Sequence, residues 1–229
     1  MRVKIDKQQK PFYLAASYTI GSHILPGEPI NLISQQVEQK ISLEITSCDA
    51  IIAGVKEGRF DLGLIETPLF DNALEYKEWM EDELVICSKM PIPQKVTASE
   101  ISKYRLIARR EDSLTRVVIS KFLKKIGLSY HSFKSLSEID NATAAIQSIK
   151  WSKPNKENPT VAIVSQLAIE DELKHNELHI SRLENNPMIR KFYLIYNKKS
   201  QDENHIEEIT AILKRFNKKE ETNNSLLAS

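Results

Sequence analysis

Short apolar runs alternate along this chain with stretches whose apolar residues recur at helical spacing. "FYLAAS" (12–17) reads as a buried strand. Ile20, Ile24, Leu25, Ile30, Ile33 and Val37 then lie roughly on one helical face. "ISLEITS" (41–47) alternates as a strand, "CDAIIAGVKEG" (48–58) returns to helix, and "FDLGLIE" (60–66) is a third strand, short and apolar as in a buried parallel sheet. This β-α-β-α-β order predicts a right-handed, doubly wound α/β unit.

The second half repeats the theme. "DELVICSK" (82–89) is a strand, and the prolines of "MPIPQK" (90–95) mark a turn. "YRLIARR" (104–110) is the next strand. "SLTRVVISKFLKKIGL" (113–128) follows as a helix whose C-cap glycine is Gly127. "NATAAIQSI" is helical, "TVAIVSQ" a strand and "LAIEDELKHN" helical. "RKFYLIYNK" (190–198) is a last strand and "ENHIEEITAILKRFNKK" (203–219) a last amphipathic helix. The polar, proline-containing "KWSKPNKENP" (150–159) reads as an exposed loop, with Trp151 either its anchor or its tip. The tail 218–229 lacks periodicity and is expected to be disordered.

Polar residues cluster where strands end and helices begin. The positions are Ser17, Tyr18 and Thr19; Thr46 and Ser47; Glu66 and Thr67; Arg109 and Arg110 with Ser113 and Thr115; and Ser165. In parallel α/β sheets the carboxyl ends of the strands line the crevice that takes ligands, and helix N-termini there favour anions. A hydroxyl in such a place can instead simply cap its helix. Glu66 either faces solvent or, turned inward, needs an arginine or a ligand amino group beside it. Arg116 is a further arginine that reaches the crevice or stays on the surface.

Composition adds exclusions. The 229 residues are 41% hydrophobic and 28% charged with net charge +1, an ordinary balance that marks no nucleic-acid or membrane surface. Cys48 and Cys87 stand far apart, without metal-ligand spacing, and are expected to be reduced thiols. "MRVKIDKQQK" has no apolar signal-peptide core, and no apolar run approaches the ~20 residues of a membrane span, so a cytoplasmic location is expected. The five histidines are scattered, and GxSxG, P-loop and GxGxxG motifs are missing, so no catalytic residue, metal site or cofactor is expected.

Taken in order, "LAASYTIGSHILPGEPINLISQQVEQKISLEITSCDAIIAGVKEGRFDLGLIE", "DELVICSKMPI", "ARREDSLTR", "NATAAIQSI…TVAIVSQLAIEDEL" and "MIRKFYLIYNK" resemble the effector-binding domain of LysR-type transcriptional regulators over residues 12–216. The resemblance implies two Rossmann-like subdomains joined by two crossover strands, as in type 2 periplasmic binding proteins, with a small effector in the cleft between them. Subdomain I would comprise 12–83 and 199–217, and subdomain II 84–198. Residues 1–11 would end a linker from a winged helix-turn-helix DNA-binding domain. By position, Ser17, Tyr18, Thr19, Ser47, Glu66 and Thr67 match the effector-contacting turns of one lobe, and Arg109 to Thr115 those of the other. The chain departs from the family in its long loop before Val161 and in Glu66, where a small or neutral residue is usual. The resemblance further implies homodimers or tetramers, paired through Pro29–Lys40 and Leu167–Lys174, no membrane partner, and an interlobe angle that ligand would reset. The hydroxyls, helix N-termini and arginines together suggest an anionic or zwitterionic effector.

Two other readings share the fold. A periplasmic solute-binding protein of a transport system has the same crevice. A prephenate-dehydratase-like lyase typically carries Thr-Arg-Phe, where this chain has Thr115-Arg116-Val117.

Overall fold

The computed structural model describes residues 10–37, 39–200 and 205–214. The expected linker end (1–9) and the tail 218–229 lie outside them. In chain order the strands and helices are β1 (Phe12–Ala16), α1 (Glu28–Val37), β2 (Ile41–Ile45), α2 (Cys48–Lys56), β3 (Leu62–Ile65), β4 (Leu74–Ser88), β5 (Lys95–Val96), α3 (Ala98–Ile101), β6 (Arg105–Arg109), α4 (Leu114–Lys125), β7 (Ser135–Ile139), α5 (Ala142–Lys150), β8 (Thr160–Ser165), α6 (Glu170–Lys174), β9 (His179–Leu183) and β10 (Met188–Asn197). A last helix occupies 205–214. The chain forms two compact units: residues up to Met80 together with those from Lys191 onward, and Glu81–Arg190. It leaves the first unit within β4 and returns within β10.

In the first unit the strand order is β2-β1-β3-β10. β1 pairs in parallel with β2 and β3, while β10 runs antiparallel to β3. Both faces of β1 and β3 are covered: Leu14, Ala15, Ala16, Leu62, Leu64 and Ile65 are all fully buried. That is why these strands read as unbroken apolar runs rather than alternating ones. α2 lies close to the sheet: a Cβ at Gly63 would stand 2.5 Å from Ile51 Cγ2 of α2 and 2.8 Å from Ile195 Cγ1 of β10. The helical face expected from Ile20 onward is divided. A single π-type turn, Ile20–Ile24, ends before Pro26 and Gly27, and α1 starts afresh at Glu28. Proline offers no N–H to continue a helix, and Gly27 adopts φ +95°.

In the second unit the order is β4-β8-β6-β7, with β9 pairing β4 and β5. β6 is parallel to β7 and β8; β4 is antiparallel to β8. Alternate residues feed two cores. Leu84, Ile86, Val161 and Ile163 pack with Ile119 and Leu123 of α4, whereas Val85, Cys87, Ala162 and Val164 pack with Ala145, Ile146 and Ile149 of α5. One helix layer on each face is the doubly wound arrangement expected from the sequence. α4 closes as expected at Gly127, whose φ is +72°. The N–H of Leu128 donates to the carbonyl of Leu123 (2.9 Å) and that of Gly127 to Lys124 (3.1 Å), the two bonds of a Schellman cap. β4 is longer than "DELVICSK" predicts, and β5, β7 and β9 are additional strands. β7 escapes the pattern because it is a largely exposed edge strand without an apolar run.

Candidate functional site

Register aligns the strand ends of the first unit. Ala16 stands opposite both Ile45 and Leu64, so the residues that follow β1, β2 and β3 emerge on one edge of the sheet. The Ser17 N–H donates to the Leu64 carbonyl (2.9 Å) and the Thr46 N–H to the Ala16 carbonyl (3.1 Å), which anchors these exits to one another. Glu66 is 5% exposed, so it does not face solvent. Its Oε1 accepts a hydrogen bond from the Ser17 hydroxyl (2.8 Å) and another from the Thr19 backbone N–H (2.9 Å). Ser17 and Thr19 are buried with it. Neither hydroxyl caps a helix: Thr19, at the N-cap of the π-type turn, makes no side-chain cap bond, and Ser17 donates to the carboxylate. Bonds of this kind to an ionised acceptor contribute about 1.5–3 kcal/mol each. Tyr18 is half-buried to exposed at 36%. Thr67 Oγ1 is buried with no hydrogen-bond partner. Ser47 is the plain cap, its Oγ accepting from the Ala50 N–H of α2 (3.4 Å).

In the second unit Arg109 of β6 stands opposite Ile139 of β7. Arg110 is exposed and paired with Asp112 (3.3 Å). Ser113 occupies the N-cap of α4 without a side-chain cap bond, and Thr115 is half-buried in the first turn. Arg116 is buried. Its Nη1 donates to the Arg109 carbonyl (2.7 Å) and to Glu138, its Nη2 to Glu111 (3.4 Å), and its guanidinium stacks 4.4 Å over the Tyr130 ring. It therefore ties α4 to the strand ends. Ser165, at the end of β8, is also buried and donates to Asp82 Oδ1 (2.6 Å). Asp82 Oδ2 in turn accepts from Arg190 Nε (2.7 Å). The sequence reading passed over Asp82 and Arg190; an acidic residue opening the apolar run "LVIC" was the available signal. A cavity of about 510 Å³ lies at the other, amino-terminal ends of β6–β8, beside Arg105, Lys134 and Thr160.

The thiols are quiet. Cys48 and Cys87 are buried and free, and burial pushes the Cys87 thiol up to about 12. Among the described residues no group of three or more His, Cys, Asp or Glu side chains is placed to hold a metal ion, and no helix is long and apolar enough to cross a membrane. Trp151 follows α5 with its indole 82% exposed, so it is the loop's tip rather than its anchor.

Residues 6–217 match the model of the LysR substrate binding domain. This chain belongs to that family. LysR-type regulators are among its relatives: it is 25% identical over 188 residues to the HTH-type transcriptional regulator CysL of Bacillus subtilis, covering 80% of this chain and 60% of CysL. It is also 27% identical over 175 residues to the phosphonates import ATP-binding protein PhnC of Anaeromyxobacter dehalogenans, covering 75% of this chain and 34% of that protein. The chain thus spans less than two thirds of either relative. Among solved structures, the effector binding domain of QuiR in complex with shikimate superposes with a TM-score of 0.72 at 17% identity, over 92% of this chain and 98% of QuiR's. A LysR substrate binding domain of the type 2 periplasmic-binding fold accounts for the element order, and the transport reading is not favoured.

Proposed function

We propose that this LysR substrate binding domain is the sensing part of a cytoplasmic bacterial transcriptional regulator, without enzymatic activity of its own, that binds a small anionic or zwitterionic effector. The observation that carries the proposal is the aligned exit of β1, β2 and β3, where Ser17, Thr19, Glu66 and Thr67 gather polar atoms at the carboxyl edge of a buried sheet. Ligands of open α/β sheets bind at such an edge. The contributions of Ser47, Arg109, Arg110, Ser113, Thr115 and Ser165 are part of the proposal, with Arg110 and Thr115 the side chains best placed to move toward a ligand, since Ser165 is committed to Asp82 and Ser47 to its helix. DNA would be bound by a helix-turn-helix segment elsewhere in the whole protein, as the name of CysL suggests for that relative. Ligand acts by favouring one of two conformations through its differential affinity for them. Association into dimers or tetramers completes the proposal.

A thermal-shift screen of organic acids, amino acids and oxyanions tests it. At least one compound raises the melting temperature, and Thr67→Val lowers its affinity. A response confined to neutral sugars, indifferent to Thr67→Val, would overturn it. Sedimentation at tens of micromolar gives a dimer or larger species, and a strict monomer would remove the oligomer from the proposal.

A further inference from the structure

The buried carboxylate of Glu66 changes what the first turn can receive. The Ser17 hydroxyl and the Thr19 N–H are the donors a bound carboxylate or oxyanion would use, and Glu66 Oε1 already holds both. We infer that Glu66 sets the charge specificity of this turn: the ligand group received there is a cation, above all an ammonium, and not a carboxylate or oxyanion. The inference rests on the effector site proposed above and narrows its ligand to an amino-bearing, zwitterionic molecule.

Three observations support it. An incoming anion would have to displace a carboxylate that is 5% exposed and held by two donors, or lie beside it at like charge. Both of those donors are neutral groups, so they stabilise the charge of Glu66 without cancelling it, and an opposite charge nearby is favoured where water is excluded. The neighbouring Thr67 Oγ1 is buried with no hydrogen-bond partner. An ammonium carries three N–H donors and no acceptor, a set suited to a carboxylate and a hydroxyl oxygen together.

The test uses the whole chain in thermal-shift and calorimetric titrations. Amino acids are paired with the carboxylates that lack their α-amino group, and sulfate serves as the oxyanion probe at matched ionic strength. The wild-type protein responds to at least one amino acid and neither to its deamino partner nor to sulfate. Glu66→Gln weakens that amino acid by roughly tenfold or more, the size of a lost charge-assisted hydrogen bond, and gains a response to sulfate. Glu66→Asp keeps the wild-type order of preference and controls for folding. If wild type answers to nothing in the panel, a sulfate response gained by Glu66→Gln still supports the inference, and its failure to appear overturns it. A wild-type response to sulfate or a deamino acid equal to that of the amino acid overturns it too, as does equal binding by wild type and Glu66→Gln. If an anion binds and Thr67→Val abolishes its binding, the charge inference falls while the site stands. A ligand indifferent to both Thr67→Val and Glu66→Gln removes the site itself.

Discussion

Asp82 joins Ser165 of β8 to Arg190 of β10 inside the second unit, with the Asp82 and Arg190 side chains 0% and 4% exposed. Removing one member of a buried ion pair leaves the other charge without its partner, which costs about 3–5 kcal/mol. Asp82→Asn is therefore expected to lower the urea midpoint strongly, whereas Ser165→Ala, which removes one hydroxyl bond, costs about 1 kcal/mol; paired denaturation curves check the ranking. Cys87 gives a second prediction. Burial keeps its thiol protonated to about pH 12, against an ordinary value of 9. The unfolded chain thus releases this proton first as pH rises above about 9, so the contribution to stability is full below that pH and declines above it. Native protein at pH 8 leaves Cys87 unmodified by a thiol reagent until denaturant is added. Such residues were the least legible in the sequence. Glu66 meets partners 47 and 49 positions away, and Asp82 meets Arg190 across 108, and no local pattern encodes a contact between distant strands.

Elements were legible where burial was lopsided or complete. β1, β3, β8 and the second half of β4 are buried along their length, and their Leu, Ile, Val and Ala runs declare it. β9 is half-buried and short, and β5 is two residues long, too little for any period to register. The helix ends were read from chemistry: Ser47 before α2, Asn141 before α5 and Gly127 after α4 all stand where capping requires them. Gly127→Ala forces a Cβ into a left-handed backbone and is expected to destabilise by about 1 kcal/mol. Gly63→Ala acts differently. Its new methyl meets Ile51 and Ile195 at contact distances no core tolerates without shifting, so a loss of about 1–3 kcal/mol is expected. Melting temperatures of the two variants, with the same ligand response retained in Gly127→Ala, separate a cap from a packing defect.

For the molecule as a whole, the two tryptophans provide separate reporters. Trp79 belongs to the first unit, 6% exposed and tilted against Phe192 (6.4 Å between ring centroids), whereas Trp151 belongs to the second and is 82% exposed. In native protein acrylamide is expected to quench Trp151 and spare Trp79. Trp151→Phe leaves a protein whose emission reports the integrity of the first unit alone, and a denaturation midpoint by fluorescence that departs from the circular-dichroism midpoint reveals units that unfold separately. The doubly wound class and the family resemblance were legible at this scale because both depend on the order of many elements. The exchange of the chain between units within β4 and β10, rather than in loops, was not, since an uninterrupted strand carries no mark of where one core ends and the next begins.

That interleaving dictates an order of events at the ribosome. The second unit is one continuous segment, Glu81–Arg190, and can complete its core as soon as it has been synthesised. The first unit cannot, because β10 covers β3 and is made last but for the helix at 205–214. Until then the nascent chain holds an open, wholly apolar strand edge at Leu62–Ile65, the kind of edge that recruits chaperones or aggregates. A message truncated anywhere before the codons of β10 yields a polypeptide with one finished half and one sticky half.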